Sequence, residues 1–445
     1  MEHRATRLRL LTFNTIPMRA FHLTWMAFFV CFFAWFAVAP LMPTIRADLG
    51  LTPAQIANIN IAAVCVTILV RLLIGPLCDR YGPRRTYTAL LALGAIPVIA
   101  IAFAHSYESF LFWRLCIGAI GASFVITQFH TSVMFAPNIV GTANATAAGW
   151  GNAGGGATQA LMPLLFAALL SFGIERSLGW RLALIVPGAL MLLMAVIYYR
   201  YAKDTPSGNR SASDPTGKRT SGWTTFLAAA RDYRVWMLFI TYGACFGVEL
   251  TIHNLAAIYY VDRFGLSMAT AGLYVGAFGL LALFARALGG LTSDRLAHRR
   301  GLGGRVDLLF LLILAEGIGL LVFAQMTTPA HALIAMLIFG LFTHMACGAT
   351  YSLVPFVNRN ALGGVAGIVG AGGNVGAVAA GFLVKGVGSI EYALTVLGGI
   401  VVASALCALA VRFTQEQKLE ERRRYDDALA QKATQAEAEG VADVA

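Results

Sequence analysis

Apolar residues along this chain come in long unbroken runs that are separated by short polar segments. A helix that crosses a bilayer needs about 20 mostly apolar residues, and the runs have that length. They lack the alternation of apolar and polar positions that membrane β-strands require. The pattern predicts twelve membrane-spanning helices, near residues 22–44, 54–78, 86–105, 108–133, 144–172, 181–200, 235–261, 269–292, 307–325, 329–352, 363–389 and 391–412.

Composition supports an all-α membrane protein and argues against a soluble one. Of the 445 residues, 58% are hydrophobic and 12% are charged, whereas a soluble domain has about 25% charged residues. The net charge is +11, but the basic residues lie in short loops and form no stripe with aromatics, so we expect no nucleic-acid partner. The seven cysteines are scattered without a C-x-x-C pair. We therefore predict no disulfide framework, no metal site and no cofactor.

The basic residues also predict the orientation in the membrane. With twelve spans, the loops alternate between two sides, and the side that includes both termini holds 25 of the 33 Lys and Arg residues, against five on the other. Cytoplasmic loops are enriched in Lys and Arg, so a multi-pass protein of the cytoplasmic membrane with both termini in the cytoplasm is expected. The first apolar run is too long for a signal peptide and is interpreted as a retained span.

Two short patterns recur at equivalent places and divide the chain into halves. RLLIGPLCDR at 71–80 and RALGGLTSDR at 286–295 share the pattern R-x3-G-x3-D-R, and each closes the second helix of its half. A Gly-Asn pattern recurs in the fifth helix of each half. We predict an N-terminal six-helix bundle (1–200), a cytoplasmic linker (201–234), a C-terminal six-helix bundle (235–412) and a cytoplasmic tail (413–445) that extends the last helix or frays. Such repeats, with a site at their interface, are common in secondary transporters.

These motifs resemble a known family. GPLCDRYGPRR at 75–85 resembles the loop motif between helices 2 and 3 of the major facilitator superfamily, and Arg114 with Gly118 and Gly121 resembles its helix-4 motif. GWGNAGGG at 149–156 and GAGGNVGA at 370–377 resemble the two signatures of its nitrate/nitrite porter family. The resemblance implies two pseudo-symmetric six-helix bundles that move nitrate and nitrite by alternating access.

Two arginines inside the predicted spans are candidates for binding the anion. Arg71 and Arg286 each precede the aspartate of their motif by eight residues, which is about 12 Å along a helix and near the middle of a hydrocarbon core about 30 Å thick. A guanidinium group is planar and permanently charged, and it can donate two parallel hydrogen bonds to a planar oxyanion such as nitrate. The alternative is that each arginine pairs internally and holds helices together.

The charge balance of the spans favours an anion. A buried arginine costs about 2.5–3.5 kcal/mol on insertion scales, and the clear deep acids are Glu249 and Glu316, against three arginines. If both acids are ionised, one positive charge is left, and a monovalent anion would balance it. For the third arginine, Arg114, we expect a structural role.

Aromatic and amide side chains complete the predicted site. Tyr242, Phe246, Glu249 and His253 have spacings that place them on one helical face. In the resembled family, aromatics from helices 4 and 7 sandwich the anion and a tyrosine donates a hydroxyl, and the matching positions are Phe124, Phe246 and Tyr242. Ordinary helix packing is the alternative for these rings.

The Gly-Asn signatures allow close helix packing, because small residues let helices approach in lipid. The resemblance also places Asn152 near the anion, whereas packing and ligand contact remain equally open for Asn374. The glycines assigned to packing are Gly151, Gly154, Gly155, Gly373 and Gly376.

The motif aspartates are assigned to the gate. Asp79 with Arg80 and Asp294 with Arg295 are interpreted as gate ion pairs, the alternative being charged loop residues that only set topology.

The sequence also bears on the energy source of transport. The chain lacks the G-x4-G-K-[ST] motif for ATP, so a gradient must drive transport. Glu249 and His253 are candidate proton carriers, and Glu249 could instead be the structural partner of an arginine. Net inward movement of positive charge with nitrate needs at least two protons per anion.

Proton-coupled import of nitrate is therefore the first prediction, and nitrate/nitrite exchange is the second. A small-carboxylate porter and a non-transporting membrane sensor remain alternatives. The sequence shows no nucleophile–base constellation, so we do not expect an enzyme, and a monomer is compatible with it.

Overall fold

The computed structural model describes residues 4–209, 222–266, 268–387 and 389–438, and these residues form a helical bundle. The helices are α1 Ile16–Phe36, α2 Met42–Leu49, α3 Pro53–Tyr81, α4 Pro83–Ala100, α5 Tyr107–Ile117, α6 Ser123–Met134, α7 Val140–Ser171, α8 Arg176–Tyr201, α9 Gly222–Ala230, α10 Tyr233–Phe264, α11 Met268–Leu280, α12 Ala282–Ala324, α13 Pro329–Val357, α14 Leu362–Val387, α15 Ile390–Leu409 and α16 Gln415–Ala438.

Within these ranges the chain passes through the bundle twelve times. Helices α5 and α6 form one passage, joined by the 3-10 turn Gly118–Ala122, and α11 continues into the first part of α12. Nine of the described helices are long and apolar enough to cross a membrane by length and composition. Because twelve is even, the first residues of α1 and the last residues of α15 lie at the same end of the bundle, which we call the terminal face. Exposed leucines on several helices, such as Leu69, Leu193 and Leu311, provide the apolar surface that lipid requires.

Helix α12 contains two passages. Its 43 residues would extend for about 65 Å as a straight helix, about twice the thickness of a hydrocarbon core. Gly301 breaks it with φ 61° and ψ −147°, a backbone region that favours glycine. The apolar pattern predicted a loop at 293–306, but helix occupies both sides of Gly301. As a result Arg305, counted there as a loop residue, is 1% exposed.

The first passage begins earlier than the apolar run suggested. The predicted span was 22–44, whereas α1 begins at Ile16, where the side chain of Thr15 caps the helix by accepting a hydrogen bond from the Met18 amide at 3.4 Å. Polar caps of this kind lie outside the apolar run, so hydropathy alone misses them.

The C-terminal tail is a separate helix rather than an extension of the last passage. Residues 410–414 separate α15 from α16, and Thr414 receives a hydrogen bond from the Gln417 amide at 3.2 Å. An ion pair joins Glu421 to Arg359, and the Arg422 guanidinium donates to the His298 carbonyl at 2.8 Å. These contacts hold α16 against the terminal face. Helix α9 lies in the predicted linker, while residues 210–221 of that linker and 439–445 of the tail lie outside the described residues.

The first six and last six passages meet through α3 with α14 and through α7 with α12. Glycines allow these contacts. A Cβ on Gly75 would meet the backbone of Gly363, and a Cβ on Gly290 would meet the backbone of Gly141. These four glycines lie between the two membrane arginines and the terminal face. Because the helices touch there, the bundle is closed at the terminal face.

Candidate functional site

Two buried arginines from different halves meet at one aromatic ring. Arg71 projects from α3 and is 0% exposed, and Arg286 projects from α12 and is 1% exposed. Their Cζ atoms lie 5.5 and 5.6 Å from the centroid of the Phe246 ring, within the range of cation–π attraction. The structure therefore brings the two predicted anion-binding groups together inside the bundle rather than turning them toward lipid.

Neutral groups hold Arg71. Its Nε and Nη2 donate to the Gly121 carbonyl at 3.2 and 3.1 Å, and its Nη1 donates to the Gly370 carbonyl at 2.5 Å. Gly121 belongs to the 3-10 turn between α5 and α6, and such turns inside helices often mark functional places. The Phe124 ring lies 5.4 Å from Cζ. Because all three hydrogen bonds go to carbonyl oxygens, they orient the guanidinium without neutralising its charge.

Arg286 has an anionic partner. Its Nη2 donates to Glu249 Oε2 at 2.5 Å, and both side chains are at most 5% exposed. The Asn152 side-chain oxygen, with the amide turned toward the guanidinium, accepts from Nη2 at 2.7 Å and from Nε at 3.1 Å. The alternative of an internal ion pair is therefore observed for Arg286. The hydrogen bonds of Arg71 described above go to carbonyl oxygens. Two guanidinium groups and one carboxylate give this cluster one surplus positive charge, if Glu249 is ionised.

Three predicted aromatic rings lie nearly parallel above the arginines. The Phe124 and Phe246 rings are inclined by 8° with centroids 6.4 Å apart, and Tyr242 is inclined by 11° to Phe124. A flat ion in contact with both phenyl faces would need about 7 Å, which is two contacts of about 3.5 Å. Entry of an ion between the rings therefore requires them to separate by about half an ångström or more.

Tyr351 is a further aromatic residue of the site that the sequence motifs did not predict. It lies edge-on to Phe124 and Tyr242, at 4.7 and 5.0 Å between centroids, and its hydroxyl donates to the Ala366 carbonyl at 3.0 Å. It thereby fixes the positions of the two rings. The available signal was its place between Thr350 and Ser352, a polar cluster inside an apolar helix.

Two buried polar side chains at the site are left without partners among the described residues. They are the hydroxyl of Tyr242 and both amide atoms of Asn374. Asn374 follows Gly370 by four residues on α14, so it shares the helical face from which Gly370 contacts Arg71. Buried polar groups are normally hydrogen-bonded, and a polar ligand beside the rings would satisfy these.

The signature glycines sit where helices touch. On α7, a Cβ at Gly151 or Gly154 would collide with α1. On α14, a Cβ at Gly373 would collide with the rings of Tyr242 and Phe246. These residues thus set how closely the site is enclosed. Gly155 faces the Phe36 ring, and Gly376 lies against the backbone of Gly243.

Asp79 and Asp294 each bridge the two halves at the terminal face. Asp79 accepts hydrogen bonds from the amides of Gly363 and Gly364, both at 3.2 Å. Asp294 accepts from the amide and the hydroxyl of Thr142, at 2.6 and 2.8 Å. We call these four hydrogen bonds the terminal gate.

The predicted pairing of Asp294 with Arg295 needs correction. Asp294 pairs with Arg305 at 2.7 Å rather than with Arg295, because the return of α12 after Gly301 brings Arg305 alongside. Arg80 lies over the Tyr81 ring, at 5.0 Å from its centroid, and the pairing of Asp79 with Arg80 stays a prediction.

The proton-carrier candidates have different surroundings. Glu249 touches Arg286 and also lies 3.3 Å from His344 Nδ1 and 3.7 Å from the Cys347 sulfur. His253, one turn further along α10, is exposed and packs against the Phe278 ring at 5.3 Å. His344 was not among the predicted residues, although a histidine in an apolar span is itself a signal of function.

Glu316 and Arg114 lie outside the cluster. Glu316 is a fully buried residue of α12 that has Thr343 beside it. Arg114 donates to the Trp35 carbonyl at 2.6 Å, which suits the structural role expected of it.

Replacing Phe246 with leucine is expected to weaken anion binding about tenfold. The change keeps an apolar side chain but removes the ring that both guanidinium groups face. A buried cation–π contact is worth about 1–2 kcal/mol, and about 1.4 kcal/mol is tenfold in affinity. Titration of the purified protein with candidate anions by calorimetry measures this. The control is Phe339→Leu, a buried ring of α13 that packs on Phe278 and Phe323; equal weakening by both variants would contradict a specific role for Phe246.

Known proteins provide an independent comparison. A family model described as Major Facilitator Superfamily matches residues 24–356. The chain is 39% identical over 418 residues to the high affinity nitrate transporter 2.5 of Arabidopsis thaliana, covering 93% of this chain and 83% of that protein. It is 40% identical to nitrate transporter 2.1 of Chlamydomonas reinhardtii, over 82% of this chain and 68% of that one. It is 29% identical to the nitrate/nitrite transporter NrtP of Nostoc punctiforme, over 89% and 91%.

Solved structures support the same fold. The crystal structure of the fucose:proton symporter FucP of E. coli superposes with a TM-score of 0.68 and 17% sequence identity, covering 90% of this chain and 100% of that one. The human organic anion transporter MFSD10 gives a TM-score of 0.65 and 14% identity, over 88% and 99%. The predicted fold class is thereby confirmed.

Proposed function

The chain belongs to the nitrate/nitrite porter family of the major facilitator superfamily, and from that premise we propose that it is a secondary transporter of nitrate, with nitrite as a second substrate. The observation that carries this proposal is the central cluster, in which Arg71 and Arg286 face one ring and only one carboxylate pairs with them among the described residues. The relatives at 39–40% identity are named as nitrate transporters, and NrtP is named for both anions.

The chemistry of the cluster suits a small, flat, monovalent anion. The surplus charge is one, so the cluster attracts an anion, and a monovalent anion gives the buried site no net negative charge. The Phe124 and Phe246 rings are nearly parallel, with centroids 6.4 Å apart, and this arrangement favours a planar ion over a tetrahedral one. Arg71, Arg286, Phe124, Phe246, Tyr242 and Asn152 are proposed as substrate-binding residues, with Asn374 as a further contact.

The transport cycle uses the closure seen at the terminal face. We assign this face to the cytoplasm, since the basic loops lie there, and we assign the protein to the cytoplasmic membrane. The six-helix units are residues 1–200 and 235–412, joined by the linker 201–234 and followed by the tail 413–445. In this state the terminal gate is closed toward the cytoplasm, and alternating access requires its hydrogen bonds to break when the site opens inward.

Proton-coupled import is the proposed mode, and Glu249 is its central residue. Nitrate and the Glu249 carboxylate compete for Arg286, so a proton that neutralises the carboxylate favours nitrate binding. His253 remains a second candidate carrier. Exchange of nitrate for nitrite would be electroneutral and is the alternative mode.

Uptake by proteoliposomes that contain the full chain tests this function. We expect nitrate uptake that increases when the outside is acidified, that nitrite inhibits, and that formate and oxalate leave unchanged. Inhibition by formate or oxalate would instead indicate a small-carboxylate porter. Binding of nitrate without uptake would indicate a sensor, and uptake that ignores the pH gradient but needs internal nitrite would indicate exchange.

A further inference from the structure

His344 lies against the partner of a substrate-binding arginine and has an unusual environment. It is fully buried on α13. Its Nε2 lies 3.2 Å from the Phe278 carbonyl oxygen, and its Nδ1 lies 3.3 Å from Glu249 Oε2. At standard geometry Nδ1 has no hydrogen-bond partner among the described residues.

The carbonyl determines which nitrogen carries hydrogen. A carbonyl oxygen can only accept, so Nε2 must be the protonated nitrogen. In the neutral ring Nδ1 then presents a lone pair to Glu249 Oε2. Two acceptors 3.3 Å apart in a buried site repel each other, unless a proton is bound to one of them. His344 Nδ1 and Glu249 Oε2 are therefore placed so that they can share one proton.

We propose that His344 and Glu249 form a shared site for one coupling proton, with His344 as a proton-binding residue of the transport cycle. The inference rests on the proposed function and deepens it. A proton from the outer water binds at Nδ1 or Oε2 and lies between the two atoms. The Glu249 carboxylate then no longer needs Arg286 for its charge balance, and the guanidinium becomes available to nitrate. When nitrate leaves on the other side, Arg286 recovers the carboxylate and the proton departs.

The charge balance agrees with this order of events. The empty cluster, with ionised Glu249 and neutral His344, carries one positive charge. Binding one nitrate and one proton leaves that charge unchanged, whereas nitrate alone would leave an ionised carboxylate without its partner in a low-dielectric site. A bound proton therefore raises the affinity for nitrate. By thermodynamic linkage, bound nitrate raises the affinity for the proton by the same factor.

Few other charges act on the pair. Helix α11 contributes the Phe278 carbonyl and ring, and α7 carries no charged residue in its sequence. On α14 the one charged residue is Lys385, fifteen residues beyond Gly370. The titratable or charged groups near the pair on α10, α12 and α13 are Arg286, Glu316, His253, Cys245 and Cys347.

Calorimetric nitrate binding to the full-length protein between about pH 5.5 and 8.5 tests the inference. In two buffers of different ionisation enthalpy, the wild type is expected to take up about one proton per nitrate, and its affinity should fall about tenfold per pH unit above the pH at which the pair loses its proton. His344→Gln keeps a donor for the Phe278 carbonyl but has no basic nitrogen. It should bind nitrate with little pH dependence and take up almost no proton, and at about pH 8.5 its affinity should match that of the wild type.

The matched control is His130→Gln. His130 is also fully buried, on α6, but both its nitrogens have partners, the Tyr198 hydroxyl at 2.6 Å and the Lys203 carbonyl at 2.7 Å. It should retain the wild-type proton uptake. If His344→Gln fails to fold, as thermal melting would show, His344→Asn replaces it.

The outcomes separate the two proposals. A folded His344 variant with one proton taken up per nitrate and the wild-type pH slope would overturn the role of His344, as would loss of binding at about pH 8.5. If wild-type protein binds no nitrate at any pH, the proposed function itself fails.

Discussion

Replacing Arg71 with lysine is expected to lower nitrate uptake at least about 100-fold, and Arg286→Lys should have a similar effect. The Arg71 guanidinium spans the Gly121 and Gly370 carbonyls while its face stays against Phe246. An ammonium group is a point charge that cannot hold this planar arrangement. Hydrogen bonds to charged groups contribute about 1.5–3 kcal/mol each, so the loss of one or two accounts for a factor of this size. Initial uptake rates in proteoliposomes measure the effect.

The control for this prediction is Arg114→Lys, which makes the same change at another buried arginine. Arg114 donates to the Trp35 carbonyl, so its replacement should lower the melting temperature more than the uptake rate. Full uptake by Arg71→Lys would remove the proposed site. An equal loss in all three variants would show that helix packing, rather than substrate contact, is responsible.

Replacing Gly363 with valine is expected to reduce turnover about 10- to 100-fold while nitrate binding is kept. A Cβ at this position would meet the Gly75 carbonyl oxygen and the Asp79 carboxylate, so the terminal gate could not close. Overpacking costs about 1–3 kcal/mol, and this would shift the balance between open and closed states by one to two orders of magnitude. The nitrate affinity reports binding at the site, and the uptake rate also depends on closure of the terminal gate. Measuring both separates the two effects.

Gly156→Val provides the control for the gate. A Cβ on Gly156 meets nothing within 4 Å, although the residue belongs to the same signature as Asn152. Its turnover should stay within about threefold of the wild type, because an open site adds no steric cost. Normal turnover by Gly363→Val would show that the terminal face need not close as tightly as it does here.

Much of the fold could be predicted because its signals are local. Runs of about 20 apolar residues identify membrane passages one by one, and the helices that form follow them closely; for example, the predicted 329–352 corresponds to Pro329–Val357. The cost of burying a guanidinium group singled out Arg71 and Arg286 without any knowledge of their neighbours. Helical spacing alone placed Tyr242, Phe246 and Glu249 on one face.

The partners of these residues were decided only by the tertiary structure. Arg71 donates to Gly370, 299 positions away, and Asp294 pairs with Arg305 because the chain reverses at Gly301. The pairing of Glu249 with Arg286 and the approach of His344 likewise depend on how α10, α12 and α13 pack. The sequence by itself determined which side chains are too polar to face lipid, since that cost belongs to each residue. Packing of helices that are distant in sequence determined which groups neutralise them, and which one of the two arginines keeps its charge unpaired by a carboxylate.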